Sequence, residues 1–284
     1  MKKPELLSPA GDMECLYAAV SAGCDAVYLG GKLFGARAFS SNFNEEELKD
    51  AIRYCHLYGV KVYVTVNTII YEREVDNFIK YVDFLVQNGV DALIMQDIGM
   101  IDLVHKIYPD LEIHASTQMH VHNEDGVSIC ENMGLKRVVL AREVSIEEIS
   151  NIRKNHKIEL EVFIHGALCL SYSGQCLMSA LIGPRSGNRG TCTQCCRMEY
   201  DVLSKDKKIS KYKYPLSTKD LCTIENIGSL IESGVDSLKI EGRMKRKEYV
   251  YLVTSLYRKA IDSYIKTGSV DISDKEIENL LSMF

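Results

Sequence analysis

The chain reads as an α/β protein, a TIM-like (β/α)8 barrel with a Cys-rich insertion between strands 7 and 8. Three observations predict it. A phrase of glycine, one residue, aspartate, a small residue and an apolar run recurs as AGCDAVYLG (22–30), NGVDALIMQ (88–96) and SGVDSLKIE (233–241). Glycine at a helix end supplies the left-handed position, and the apolar run after it reads as a fully buried strand. Gly23, Gly59 and Gly89 are separated by 36 and 30 residues, about one strand–helix unit each. Eight such runs alternate with amphipathic stretches over 284 residues, a pattern that suits a barrel better than an open sheet.

The first strand is ELLSPA (5–10), and the first copy of the phrase delivers the second, AVYLGG (26–31). The amphipathic stretch NEEELKDAIRYCHLY (44–58) leads through a looser copy, YGVKVYVTV (58–66), into KVYVTVN (61–67). A second helix, VDNFIKYVDFLVQN (75–88), precedes ALIMQD (92–97). EIHAST (112–117) and RVVLAR (137–142) are the fifth and sixth strands, the latter inside the copy MGLKRVVLA (133–141). The helix SIEEISNIRKNH (145–156) leads to ELEVFIH (159–165), where mid-strand Glu161 is expected to be paired inside the barrel. SLKIEG (237–242) is the eighth strand, and the long interval 166–236 before it is an insertion on the barrel rim. A helix, EYVYLVTSLYRKAIDSYIKTG, and a short acidic helix ending at Phe284 follow residue 247. The expected division is a barrel domain over 1–250, insertion included, and a helical extension over 251–284.

Hydrophobic residues make up 46% and charged residues 26% of the chain, the balance of a soluble globular protein. The N-terminus, MKKPELLSPAGD, has no apolar signal region, and no run approaches the roughly 18–20 apolar residues of a membrane span. A cytoplasmic location and no membrane partner are expected. The net charge of −5 is unevenly spread: residues 1–184 hold 16 Lys/Arg against 25 Asp/Glu, and residues 185–259 hold 16 against 9. The sharpest clusters are KDKKISKYKY (205–214) and KIEGRMKRK (239–247). This local positive field suits an RNA backbone, although lysine-rich loops are often only solvated surface.

Four cysteines carry the strongest chemical signal. Cys169, Cys176, Cys192 and Cys196 are spaced C-x6-C-x15-C-x3-C among Gly, Ser, Arg and Asn, which is loop composition. Reduced, clustered thiols point to metal or redox chemistry, and four thiolates suit zinc or an iron–sulfur cluster. The wide gaps fit a zinc ribbon poorly, so the cluster is favoured. Cys15, Cys24, Cys55 and Cys130 sit in apolar positions and read as core hydrophobes. A cysteine nucleophile with His165 four residues before Cys169 is conceivable. Five cysteines within 28 residues favour a cluster instead.

Barrel chemistry sits at the C-terminal ends of strands. Those ends carry Asn67, Gln96, Asp97, His114, Ser116, Gln118, Arg142, Glu143, His165, Glu241 and Arg243. So many polar groups closing apolar strands suggest a ligand site. His114, Gln118, Arg142, His165, Glu241 and Arg243 are the candidate catalytic residues, and Asn67, Gln96 and Ser116 the candidate cofactor-binding ones. There is no G-x-S-x-G elbow, no H-E-x-x-H helix and no G-x-G-x-x-G after a strand.

EVFIHGALCLSYSGQCLMS (161–179) resembles the defining motif of the U32 peptidase, or collagenase-like, family. ELLSPAGD, DAVYLGG with FGARAFSSN, VTVNTI, ALIMQD, HASTQM, VVLARE, RGTCTQCCR and SLKIEGRMK extend the likeness over nearly the whole chain. It is nearest the bacterial 23S rRNA 5-hydroxycytidine synthase branch, with tRNA 5-hydroxyuridine synthases and oxygen-independent ubiquinone hydroxylation proteins as sister branches. The resemblance implies a barrel-like domain and a 4Fe-4S cluster on Cys169, Cys176, Cys192 and Cys196. It also implies prephenate as co-substrate and an oxygen-independent, iron–sulfur-dependent hydroxylation at C5 of an RNA pyrimidine. Cys195 has no counterpart in the usual pattern and is a rival to Cys196; Cys222 is a further substitute. Arg142 and Arg243 are the candidates for the co-substrate's carboxylates, because a guanidinium fork matches that geometry. The alternatives are a peptidase using Cys195 or Cys169, a tRNA hydroxylase, and a scaffold with a structural cluster. Relatives of this type usually continue into further C-terminal domains, so the chain is expected to be a shortened form, or a barrel that acts alone or with a partner.

Overall fold

Eight parallel strands close on themselves in the computed structural model, which describes residues 2–38 and 40–283. Phe39 of the FGARAFSSN motif and the terminal Phe284 lie outside the described residues. The strands are β1 Glu5–Pro9, β2 Ala26–Leu29, β3 Lys61–Val66, β4 Ala92–Met95, β5 Glu112–Ala115, β6 Arg137–Val139, β7 Glu159–Gly166 and β8 Ser237–Ile240. Each pairs with its successor, and β8 pairs with β1 to close the ring. Strands buried on both faces read as unbroken apolar runs, which is why every one falls where the sequence puts it.

The recurring aspartate has a definite task. Asp25, Asp91 and Asp236 each accept a backbone N–H from the neighbouring strand, from Leu6, Val62 and Leu160 at 2.8, 2.7 and 3.1 Å. The phrase therefore ends a helix at its glycine, with φ of 86°, 80° and 84° at Gly23, Gly89 and Gly234, and its aspartate fixes the register of the next strand.

The helices are α1 Met13–Ser21, α2 Glu45–Leu57, α3 Val75–Gln87, α4 Ile98–Ile107, α5 Glu124–Asn132, α6 Ile146–Asn155, α7 Met178–Ile182, α8 Ile227–Glu232, α9 Lys247–Thr267 and α10 Asp274–Leu281. Asn44 and Ser145 begin α2 and α6 with capping boxes, and Asp12, Asp97 and Asn123 cap α1, α4 and α5. Two expected boundaries change. The division at 250/251 falls inside α9, whose Val250, Val253, Tyr257 and Ile261 belong to the same core as the barrel. The expected insertion over 166–236 also contains α8, which packs between α6 and α9 as the barrel's own helix. The irregular part thus ends near Leu221–Cys222, a two-residue strand added antiparallel to the end of β7.

The barrel interior is charged at one level. Arg137 Nη1 lies 2.6 Å from Glu5 and 3.1 Å from Glu161, and its Nη2 lies 2.8 Å from Glu159. Lys239 Nζ completes the group at 2.8 Å from Glu161 and sits 4.4 Å from the centre of the Tyr28 ring. Glu161 is fully buried, as expected of a paired mid-strand acid.

Candidate active site

Backbone geometry pins the cysteine-rich segment over the C-terminal mouth of the barrel. Arg189 forms a two-pronged pair with Glu74 at 2.7 and 2.9 Å. Ser173 accepts the Arg142 N–H at 3.2 Å, and its own N–H reaches Glu143 at 3.1 Å. Arg197 ties the segment to itself through Leu168 O and Thr218 O, at 2.8 and 2.7 Å. Gly174 and Gly190 make the closest approaches, with φ of 76° and 79°. A Cβ on Gly174 would lie 2.6 Å from Gln118 O, and one on Gly190 would lie 2.5 Å from Gly35 O. Gly174→Ala should therefore lift the loop off the rim, since both the space and the left-handed backbone exclude a side chain. Limited proteolysis checks this: cleavage within 167–200 should accelerate while the thermal transition of the barrel barely moves. Equal cleavage rates would refute it.

The four predicted ligands lie on one rim segment, Cys169 and Cys176 before α7 and Cys192 and Cys196 after it. Burial raises the Cys196 thiol pKa, Arg197 opposes that, and the thiols of Cys169, Cys192 and Cys176 add to the rise, which places all four sulfurs within electrostatic reach. Cys169 and Cys192 are exposed, and none of the ten cysteines is in a disulfide. Cys192 Sγ accepts the N–H of Gln194 at 3.4 Å. Among the described residues, no three His, Cys, Asp or Glu side chains gather tightly enough to hold a single metal ion. Cys195 is buried against Thr193 Oγ1 at 2.7 Å, and Cys222 lies 3.9 Å from Tyr257 Oη on α9. Cys15, Cys24, Cys55 and Cys130 are buried, and burial raises all four thiols, Cys130 to about 11.

Beneath the loop lies an arginine-rich mouth. Glu241 takes Arg142 Nη2 at 3.2 Å and faces Arg37 Nη2 at 3.7 Å. Arg243 is buried and donates to Thr65 Oγ1 at 2.6 Å. Burial favours neutral Glu241, yet Arg37, Arg142, Arg243 and Lys239 together hold its carboxyl below the usual range. Burial, then the like charge of Arg37, lowers Arg243 to about 10. Glu241 raises the Arg37 pKa against burial, and Tyr28, Cys169 and Cys192 add to it. Three guanidinium groups share one carboxylate, so the mouth carries an excess of positive charge facing the thiols.

Asn67, Gln96 and Ser116 form one network beside it. Asn67 donates to Ser116 Oγ at 3.1 Å and accepts the Ala36 N–H at 3.0 Å, and Gln96 Nε2 donates to Asn67 O at 2.7 Å. Gln118 sits in a single 3-10 turn, Thr117–Met119, against which Gly174 packs. Asp97 caps α4, a structural task.

Two predicted site residues are not at the mouth. His114 is fully buried one inward position below Ser116, edge-on to Tyr63 at 4.7 Å, and burial lowers its pKa. His165 follows a register irregularity in the β7–β8 ladder, which pairs Lys239 with Phe163 and then Ile240 with His165. It packs against Tyr249 and Tyr257 of α9, and burial lowers it to about 3. The extra residue at Ile164 reverses the side to which the strand's last residues point. Conversely, Arg37 joins the site unannounced, from a glycine-containing loop with no periodicity.

The basic segments are partly internal. Lys239 and Arg243 are buried, and Arg189, Lys208, Lys213, Lys247, Arg258 and Lys259 are in ion pairs. Lys205, Lys207, Lys211, Lys219, Lys245 and Arg246 have no ion pair among the described residues. No described helix is long and apolar enough to cross a membrane.

The chain is 43% identical over 282 residues to tRNA hydroxylation protein P1 of Bacillus subtilis, covering 97% of this chain and 67% of that protein. It is 41% identical over 263 residues to the 23S rRNA 5-hydroxycytidine C2501 synthase of Escherichia coli, covering 92% and 40%. A collagenase of Porphyromonas gingivalis is 36% identical, covering 92% and 66%. The solved structure of the U32 peptidase Mk0906 matches 84% of this chain and 93% of its own at a TM-score of 0.59 and 14% identity, a likeness of fold. The model of peptidase family U32 matches residues 11–284. By that match and by relatives of this identity and extent, the chain belongs to peptidase family U32.

Proposed function

We propose that this chain is the catalytic barrel of an RNA hydroxylase acting at C5 of a pyrimidine. The observation that carries the reading is an arginine-rich mouth, Arg37 and Arg142 on Glu241, within electrostatic reach of Cys169 and Cys192. Cys169, Cys176, Cys192 and Cys196 offer a 4Fe-4S cluster four thiols: two are exposed, two half-buried, none is in a disulfide, and one already accepts a backbone N–H. When bound, such a cluster supplies one-electron chemistry.

The protein's own residues do the rest. Arg37, Arg142 and Arg243 exceed Glu241 by two charges, which suits a dicarboxylate such as prephenate. Glu241 orients two of the guanidiniums, and Thr65 holds the third. Asn67, Gln96 and Ser116 offer hydrogen bonds to the co-substrate's polar groups. The target base must leave its stack to reach the mouth. Exposed Tyr172, and His120 stacked on His122 at 4.6 Å, supply ring faces beside the loop for it. The unpaired lysines and Arg246 guide the phosphate backbone, and an RNA substrate implies a cytoplasmic location. The relatives' names include both rRNA and tRNA hydroxylation, so RNA is the common substrate class. The peptidase reading lacks geometric support, since His165, its base for Cys169, packs against α9.

Nucleoside mass spectrometry on RNA from a strain lacking the gene, complemented with this chain, tests the proposal. Loss and return of 5-hydroxycytidine in rRNA is the expected result. The same behaviour of 5-hydroxyuridine would place the substrate in tRNA. No change in either nucleoside overturns the reading.

A further inference from the structure

Adjacent Cys195 and Cys196 have different surroundings, and the difference leads to Cys192. Cys195 Sγ lies 2.7 Å from Thr193 Oγ1, and that hydroxyl lies 3.1 Å from Ser179 Oγ. Ser179, on α7 and 5% exposed, accepts the Thr193 N–H at 3.1 Å and lies 3.9 Å from Cys192 Sγ. A serine oxygen has two acceptor positions and one proton. The Thr193 N–H fills one position, and where the Thr193 hydroxyl donates to Ser179 rather than to Cys195 it fills the other. The Ser179 proton is left for Cys192 Sγ. When Cys192 is a metal-bound thiolate this order is favoured, because hydrogen bonds to an ionised acceptor are about twice as strong as neutral ones. With the Gln194 N–H at 3.4 Å, Cys192 then receives two hydrogen bonds.

Hydrogen bonds to cluster sulfurs are one of the levers that set reduction potential. Reduction adds negative charge, so donors at the sulfur favour the reduced state and raise the potential. We propose that Ser179, with Thr193 and Cys195 behind it, is a hydrogen-bond relay that sets the reduction potential of a cluster at Cys192. Cys195 is thereby a positioning residue and not a ligand. The inference rests on the iron–sulfur reading above.

The test is anaerobic reconstitution of this chain with iron and sulfide, followed by iron analysis and a redox titration monitored by visible absorption. Ser179→Ala and Thr193→Val should keep the wild-type iron content and titrate at lower potential. The reduced-to-oxidised ratio at fixed potential should fall about three- to tenfold, tenfold corresponding to roughly 59 mV. Cys195→Ser, which keeps a donor, should retain its iron. Iron-loaded variants with an unshifted titration overturn the relay, as does loss of iron in Cys195→Ser. A wild-type chain that takes up no iron overturns the cofactor reading itself, a result distinct from either.

Discussion

Glu161→Gln should be among the most destabilising single substitutions in this chain, costing about 3–5 kcal/mol. Glu161 is fully buried between Lys239 at 2.8 Å and Arg137 at 3.1 Å. Glutamine matches its size but not its charge, so Lys239 is left buried with no compensating carboxylate. Against the roughly 5–15 kcal/mol that holds a domain folded, such a loss brings the barrel close to unfolding. Urea denaturation of the two proteins measures it, and a difference below about 1 kcal/mol would show that the buried ion group does not hold the barrel closed. A pH series supplies a second signature. Burial alone would raise the Glu161 carboxyl; Lys239 and Arg137 more than reverse this and hold it at about 2, against an ordinary 4.5. A lowered folded-state pKa contributes stability that is complete above the ordinary value and fades as pH falls. The wild-type chain should thus lose this contribution between about pH 4.5 and 2, and the glutamine variant should show a shallower fall there.

That ion group also marks what the sequence could and could not disclose. Glu161 was legible as a paired interior acid because it interrupts an apolar strand, yet nothing local names Lys239, 78 residues away. The strands were legible because burial on both faces leaves an unbroken apolar run, and the repeated Gly-x-Asp marked where several begin. The four thiols were legible because loop composition separates them from the core cysteines. Arg37 was not, since its role depends on Glu241 lying opposite it across the mouth. His165 misled for the same kind of reason. A one-residue irregularity beyond Phe163 reverses which way the end of β7 faces, and no residue type announces it.

Cys169→Ser carries the largest expected effect on activity. A serine hydroxyl stays protonated where a thiolate would bind, so the variant loses one of four charged donors and should bind little or no iron in reconstitution. Hydroxylated nucleoside should be absent from RNA of cells complemented with it. Stability should hardly change, because Cys169 is exposed and the loop is tied down elsewhere, by Arg197 on Leu168 and Thr218 and by Ser173 on Glu143. Exposed substitutions of this kind usually stay within about 0.5 kcal/mol. Unchanged melting combined with lost iron separates a missing ligand from a collapsed loop. Cys222→Ser provides the contrast: its sulfur lies by Tyr257 Oη of α9 at 3.9 Å, and the variant should keep its iron. Hydroxylation surviving in Cys169→Ser would exclude a catalytic cluster at this loop. Iron lost from Cys222→Ser but kept in Cys196→Ser would move the fourth ligand to the end of β7, where Cys222 pairs with His165, and so move the redox centre toward α9 and off the arginine-lined mouth.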